Sequence, residues 1–365
     1  MKIVHITTVH NPFDNRIFHK ECSSMAELGH SVVLIVPHIK DELVNGVQIR
    51  SLSHPKGRLA RMIFTTGQAY KKALHEDADI YHFHDPELII YAALLKKRGK
   101  KVIYDIHEDY SSSIKQKDYL LRPLRVMLAY LFSYLEKVGT KNLCKILAEK
   151  NYKKKFPDGV EILNYPKRDL MAIPHNKRTS SSFRVIYTGN ITRDRGAFEH
   201  AKIVHYMEDM QVYLVGYCNQ ELADQLYAVA GKKKNRLYIN GLNRFVPFRE
   251  IIDYYAMGNW TAGLAIFPPS PHYINKELTK LFEYMSAGIP IICSDFPVWK
   301  ELIEKTGSGI YVNPADEGAI KDGLEYLSVN RNEAMQMGAN GRASVEKYYL
   351  WENEARKLER LYCEL

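Results

Sequence analysis

The chain has 365 residues, 46% hydrophobic and 25% charged, with a formal net charge of +9. That length predicts two domains with ample cores, and no run approaches the roughly 18 uncharged apolar residues of a membrane-spanning helix. The excess of basic residues suits nucleic acid, anionic lipid or an anionic small molecule, but no zinc finger, RNP sequence or dimeric basic helix is present, so nucleic acid is not an expected partner.

The opening MKIVHITTVH enters a strand pattern at once and lacks the apolar core of a signal peptide. The five cysteines, Cys22, Cys144, Cys218, Cys293 and Cys363, are scattered and form neither a zinc pattern nor a disulfide framework. A reducing cytoplasm is therefore expected. After the first strand, Asn11, Pro12 and Asp14 mark a loop. Ile17, Phe18, Cys22, Met25 and Leu28 then give a helical stripe that stops at Gly29, before the strand SVVLIVP from Ser31. Strand, loop, helix and strand begin a doubly wound parallel sheet, whose ligands meet the carboxyl ends of the strands. That rule places Asp14 and Arg16, in the first loop, at the ligand edge.

A helical region from about Arg58 to His75 leads to a strand ending in His82-Phe-His84-Asp85-Pro. Asp77-Ala-Asp79 mimics a metal-binding Asp-x-Asp, but it lies at the start of the strand, the wrong edge for substrate. His82, His84 and Asp85 look more like a metal cluster. Tandem histidines on a strand are expected to point to opposite faces, so they are read as packing or supporting residues, with His84 and Asp85 nearest the ligand edge. No metal site is expected. In KVIYDIHEDY, the buried run Val102–Ile106 puts His107 and Glu108 just past the carboxyl end. From Leu120 to about Leu147 the pattern is helical and richly apolar, punctuated by Arg122, Arg125, Lys137, Lys141 and Lys145. It is expected to be mostly core, with one exposed turn in contact with a membrane interface.

The strand VEILNY at 160–165 closes the first domain, and PKRDLMAIPHNKRTSSS reads as a linker. FRVIYTGNITRDRG opens the second domain with a strand and the turn Gly189 to Gly196. MQVYLVG, LYINGL and TAGLAIFPPS are further strands, the last delivering Ser270–Asn275 to the ligand edge. In NKELTKLFEYMSAGIPIICSDFP, Leu278, Leu281, Phe282 and Met285 make one apolar helix face. Glu283 falls inside that run, where a charge needs a partner. It can hold the two hydroxyls of a ribose diol or a structural ion pair. The last segment, YYLWENEARKLERLYCEL, is helical.

The Lys-x-x-Glu-x-x-x-Ala-Gly-x-Pro run from Lys280, with its strand and Ser294-Asp295, resembles the donor-nucleotide motif of family 4 glycosyltransferases. The resemblance spans nearly the whole chain. It implies an α/β GT-B fold of two Rossmann-like domains with parallel sheets facing a central cleft. The expected divisions are 1–166 on the acceptor side, 183–345 for the nucleotide-sugar, and a C-terminal helix, 346–365, crossing back to the first domain. It further implies retaining, metal-independent transfer of a sugar from a nucleotide-diphosphate donor, a UDP-sugar in preference to a GDP-sugar, to a hydroxyl of a saccharide or lipid-linked saccharide.

Carried onto this sequence, His107 and Asn275 orient the donor sugar and Glu283 holds the ribose. Gly189, Asn190, Arg195 and Lys280 surround the diphosphate, and Asp14, Arg16 and Glu108 lie on the acceptor side. Asp14 and Arg16 either meet the acceptor or pair with each other. Two departures stand out. Asn190 replaces the family's arginine while Arg195 occupies its lysine position, and Asn275 replaces the first of two glutamates eight positions apart. A surface-polysaccharide acceptor suggests a cytoplasmic protein that contacts an anionic membrane surface on its inner face. A non-catalytic nucleotide-sugar-binding scaffold is the alternative of a different class, with a nucleotide-sugar epimerase behind it.

Overall fold

The computed structural model describes residues 1–53, 57, 61–107, 110–115, 121–176 and 183–365. They form two compact units, Met1–Asn164 with Trp351–Leu365, and Tyr165–Leu350. Among the described residues no helix is long and apolar enough to cross a membrane.

The first unit is built on β1 (Lys2–Ile6), β2 (Ser31–Pro37), β3 (Glu42–Val44), β4 (Val47–Leu52), β5 (Ile80–Phe83), β6 (Lys101–Ile106), β7 (Cys144–Leu147) and β8 (Val160–Glu161). They lie in the order β3-β4-β2-β1-β5-β6-β7-β8, parallel throughout except for β3 against β4. Chain order reverses at β1, so β1 and β5 flank the switch point where doubly wound sheets bind ligands. Alternation along the strands assigns each residue to a face. Val4, Ile6, Tyr81, Phe83 and Tyr104 pack on one side, together with Ala69 and Ala73 of the helix Thr66–Glu76. Ile3, Ile80 and Ile103 face the other side, under Phe18, Trp351, Leu358 and Tyr362.

The same alternation puts His5, His82 and Asp105 on the second face. His82 and His84 are two residues apart, so they share that face rather than opposing each other as expected. The terminal helix Trp351–Glu364 is part of this first unit: the Trp351 indole N–H donates to Ser24 Oγ at 2.8 Å, and Glu354 accepts the Leu163 N–H at 2.9 Å. Fully burying residues such as Trp351, Leu358 and Tyr362 contributes roughly 1.5–3 kcal/mol each.

The helix Arg122–Gly139 differs from the expected core helix. Only Ala129 and Glu136 are buried, while Met127, Tyr130, Leu131, Tyr134 and Leu135 are exposed. Apolar residues nearly encircle it, and a helix resting on one sheet face can bury only one stripe. Glu136 marks the docked stripe, accepting from Tyr104 Oη and paired with Lys155, each at 2.7 Å.

The second unit carries β9 (Phe183–Thr188), β10 (Met210–Cys218), β11 (Leu237–Leu242), β12 (Ala262–Ala265), β13 (Ile291–Ser294) and β14 (Gly309–Val312). Its order, β11-β10-β9-β12-β13-β14, is wholly parallel and reverses between β9 and β12. The stretch read as a linker is, over its described part, packed into this unit. Leu170 and Ile173 are buried, and Asn176 exchanges hydrogen bonds with the Trp260 backbone at 2.9 and 3.0 Å. Its Pro-rich, polar composition hid three anchoring side chains.

Candidate functional site

Each unit presents a cluster of polar side chains at the carboxyl ends of its strands. In the second unit, β9 runs into Gly189 and a tight turn that ends at Gly196. Gly189 has a φ of +105° and Gly196 a φ of +76°. A Cβ on Gly196 would stand 1.8 Å from the Ile266 carbonyl oxygen, so only glycine lets the turn close against β12. Gly189 keeps the floor of the site bare: a Cβ there would lie 3.5 Å from Lys280 Nζ and 3.9 Å from Arg195 Nη1. Two cations therefore converge on one backbone position.

Lys280 comes from the helix Thr279–Ser286 and is 8% exposed. Its Nζ has no hydrogen-bond partner among the described residues and lies 3.8 Å from the Tyr187 ring centroid. Burial, then repulsion from Arg195, pushes its pKa well below the lysine range, with Glu283 opposing. A buried ammonium without an acceptor is a costly arrangement unless an anion completes it. Arg195 is fixed by its Nε, which donates to Tyr273 Oη at 2.9 Å. Asn190 is exposed, and its carbonyl accepts from Tyr187 Oη at 2.8 Å. Anion binding by the helix after Gly196 receives little help from length, since Ala197–Lys202 is only six residues.

Glu283 is half-buried on the same helix as Lys280, and its Oε2 accepts from Tyr255 Oη at 3.0 Å. Tyr255 in turn meets Thr188 Oγ1 at 2.8 Å, and Tyr284 Oη accepts the Thr188 N–H at 3.1 Å. This tyrosine–threonine scaffold ties Glu283 to the end of β9. Asn275 lies exposed in the turn before the helix. The structure thus gathers Gly189, Arg195 and Lys280, with Glu283 on the same helix.

In the first unit, His107 follows β6. Its Nδ1 meets Asp105 Oδ2 at 3.2 Å and its Nε2 meets His10 Nε2 at 3.1 Å. One imidazole must donate and the other accept across that contact, so their tautomers are coupled. His10 Nδ1 lies 3.1 Å from Asp85 Oδ1. Burial would raise the Asp85 carboxyl, but His10, the Thr8 N–H and the Thr7 hydroxyl outweigh it and hold it at about 2. Asp105, also fully buried, is held well below the usual carboxylate range by Arg16, His107 and His84.

Arg16 grips Asp105 through Nε and Nη2 at 3.0 and 2.9 Å and lies 3.1 Å from Glu21. It is buried, and it pairs with neither Asp14 nor an open edge. Asp14 accepts the N–H groups of Arg16 and Ile17 at 2.8 and 2.9 Å, shaping the turn. The acceptor-side expectation for Arg16 is therefore corrected: two buried carboxylates claim its guanidinium. Glu108 lies outside the described residues. Asp77 and Asp79 lie at the amino edge of the sheet, paired with Lys100 and with the Lys2 N–H.

Sequence reasoning missed Asp105, His10 and Tyr255. Asp105 carried the same signal as Glu283, a charge inside an apolar run. His10 and Tyr255 carried none, because their partners are far away in the chain.

Two family profiles match. "Glycosyltransferase Family 4" covers residues 15–148, and "Glycosyl transferases group 1" covers residues 185–344. No curated protein matches the chain in sequence. Among solved structures, sucrose-phosphate synthase from Thermosynechococcus elongatus superposes with a TM-score of 0.75 at 16% identity, over 100% of this chain and 98% of that one. Anabaena HepE in complex with UDP and glucose gives 0.74 at 12% identity, over 100% of both chains. WaaG, a glycosyltransferase involved in lipopolysaccharide biosynthesis, gives 0.68 at 14% identity, over 97% of this chain and 98% of that one. At these identities the likeness establishes the fold, GT-B.

Proposed function

The chain belongs to the family 4 glycosyltransferases, and we propose that it transfers a hexose, with retention, from a UDP-sugar to a hydroxyl of a saccharide or lipid-linked saccharide. The observation that carries this reading is the convergence of Lys280 Nζ, buried and without a partner among the described residues, and Arg195 Nη1 on the bare Gly189. A diphosphate supplies the missing acceptor oxygens, and charge-assisted contacts are the strong kind. The uridine base is favoured because HepE carries UDP in the same fold.

In the proposed reaction the bond between the sugar C1 and the β-phosphate oxygen breaks, its electron pair leaving with UDP. Lys280 and Arg195 stabilise that growing charge in place of a divalent cation. The acceptor oxygen bonds C1 on the face the phosphate leaves, and its proton passes to the departing phosphate. Glu283, steadied by Tyr255, holds the ribose hydroxyls, while His107 and Asn275 orient the donor sugar. Incubation with UDP-hexoses, saccharide acceptors and EDTA tests this, with the product anomer read by NMR. Product of inverted configuration, or transfer that requires added magnesium, would overturn the mechanism. Tight donor binding without turnover would favour the scaffold alternative.

The acceptor side is proposed to work at a membrane surface. Exposed Met127, Tyr130, Leu131, Tyr134 and Leu135 share one helix with Arg122 and Arg125, the arrangement of an interfacial helix. WaaG acts in lipopolysaccharide biosynthesis, consistent with such an acceptor. Co-sedimentation with anionic vesicles that is unchanged by Tyr130→Ser with Tyr134→Ser would refute this part.

A further inference from the structure

Behind His107, a second group of side chains is not used by sugar transfer. The parallel register sets His5 directly beside His82, and alternation places His84 on the same face. The turn of helix Ile17–Cys22 lowers Glu21 onto these three imidazoles. All four residues are fully or almost fully buried, and one ligand atom from each lies within 4.8 Å of the others. His5 Nδ1 is 3.1 Å from His84 Nε2, and Glu21 Oε2 is 3.7 Å from His5 Nδ1 and 3.8 Å from His84 Nε2. A tetrahedral ion with ligands at 2.0–2.1 Å separates its ligand atoms by about 3.3 Å, within the span of these distances.

The hydrogen-bond inventory points the same way. His82 Nε2 and Glu21 Oε2 are buried with no hydrogen-bond partner among the described residues. The remaining atoms are supported as ligands of a metal usually are. His84 Nδ1 meets Asp105 at 3.2 Å, His82 Nδ1 meets Tyr362 Oη at 2.7 Å, and His5 Nε2 lies 3.4 Å from the same hydroxyl. Arg16 Nε stands 3.1 Å from Glu21 Oε1.

We propose that His5, His82, His84 and Glu21 bind one divalent transition-metal ion, zinc by the nitrogen-rich donor set. With four protein ligands the site is closed, so the ion is structural. It ties β1 and β5 to the helix at 17–22, and through His84 and Asp105 it fixes the ring of His107. The proposal departs from the sequence expectation of no metal, and the diphosphate site of the second unit is a separate matter. Because the cluster is fully buried, its ion survives brief EDTA, and the proposal stands or falls independently of metal-free donor binding.

The test is elemental analysis of the purified full chain from zinc-supplemented culture. The proposal predicts about one zinc per chain, and visible ligand-field bands of a tetrahedral site after cobalt replacement. Tyr362→Phe, which removes only a supporting hydroxyl, should weaken metal retention about 10-fold in chelator competition while the protein stays folded. His82→Ala should abolish the bands. Folded wild-type protein that holds no metal, shows no cobalt bands and keeps its melting temperature after chelation under mild denaturant overturns the proposal. So does stoichiometric zinc that persists in folded His82→Ala.

Discussion

Lys280→Met separates stability from function, because the two change in opposite directions. Lys280 Nζ lies 3.8 Å from the Tyr187 ring centroid and 5.0 Å from that of Phe267, with no acceptor among the described residues. Its depressed pKa means that the folded protein holds fewer protons there than the unfolded chain. Stability therefore rises with pH between the depressed value and the ordinary lysine value of 10.5. At neutral pH the side chain is a net burden on the fold. Methionine keeps the length and the aromatic contacts but removes the buried, unsatisfied amine, a gain of about 1–3 kcal/mol by the usual cost of burying an unsatisfied polar group. For a unit of this size that is a rise of about 2–12 °C in melting temperature. Nucleotide binding should move the other way. Loss of a hydrogen bond to a charged group, about 1.5–3 kcal/mol, weakens UDP about 10- to 150-fold. Thermal unfolding and calorimetry on the same preparations read both. A lower melting temperature with unchanged UDP affinity would refute the argument and make Lys280 a packing residue.

The other predictions concern further residues of the proposed reaction. Glu283→Gln should weaken UDP about 10-fold, and Tyr255→Phe should weaken it less, since Tyr255 only steadies the carboxylate; calorimetric titration ranks the two. His107→Asn should leave UDP affinity unchanged and lower the transfer rate about 100-fold, in the range of lost transition-state contacts, which initial rates at saturating donor will show. Binding of UDP should return a proton to Lys280, so affinity falls as pH rises above the depressed pKa. The binding enthalpy should accordingly vary with the buffer's own ionisation enthalpy. Gly196→Ala places a Cβ 1.8 Å from the Ile266 carbonyl oxygen at a φ of +76°. It should cost more than about 3 kcal/mol or leave the second unit unfolded, as chemical denaturation will measure.

The legibility of this chain follows from the range of its interactions. The strand runs and the turn glycines are local, so most strands of both sheets could be read in order; β3, β4 and β14 were not, and β7 lay at the end of a stretch expected to be helical. Glu283 and Arg195 announced themselves as charges where apolar residues or a phosphate loop should be, and Asp105 sent the same signal unheeded. Arg16 shows the limit. Its pairing with Asp105 spans 89 positions, and nothing near it in sequence says that the guanidinium turns inward. The helix Arg122–Gly139 shows another limit. A richly apolar periodicity states that a face can be buried, whereas the number of faces actually covered depends on which elements lie alongside. The four metal-class ligands come from three separate segments and converge only through strand register and one helix turn.

Calorimetric titration of UDP in the presence of EDTA, on wild type and on Glu283→Ala, tests the central claim most directly. A metal-free donor site built on Arg195, Lys280 and Glu283 predicts binding to the wild type and its loss, by at least about 10-fold, in the variant. Equal affinities in the two proteins, or no binding of UDP by folded wild type, would contradict it.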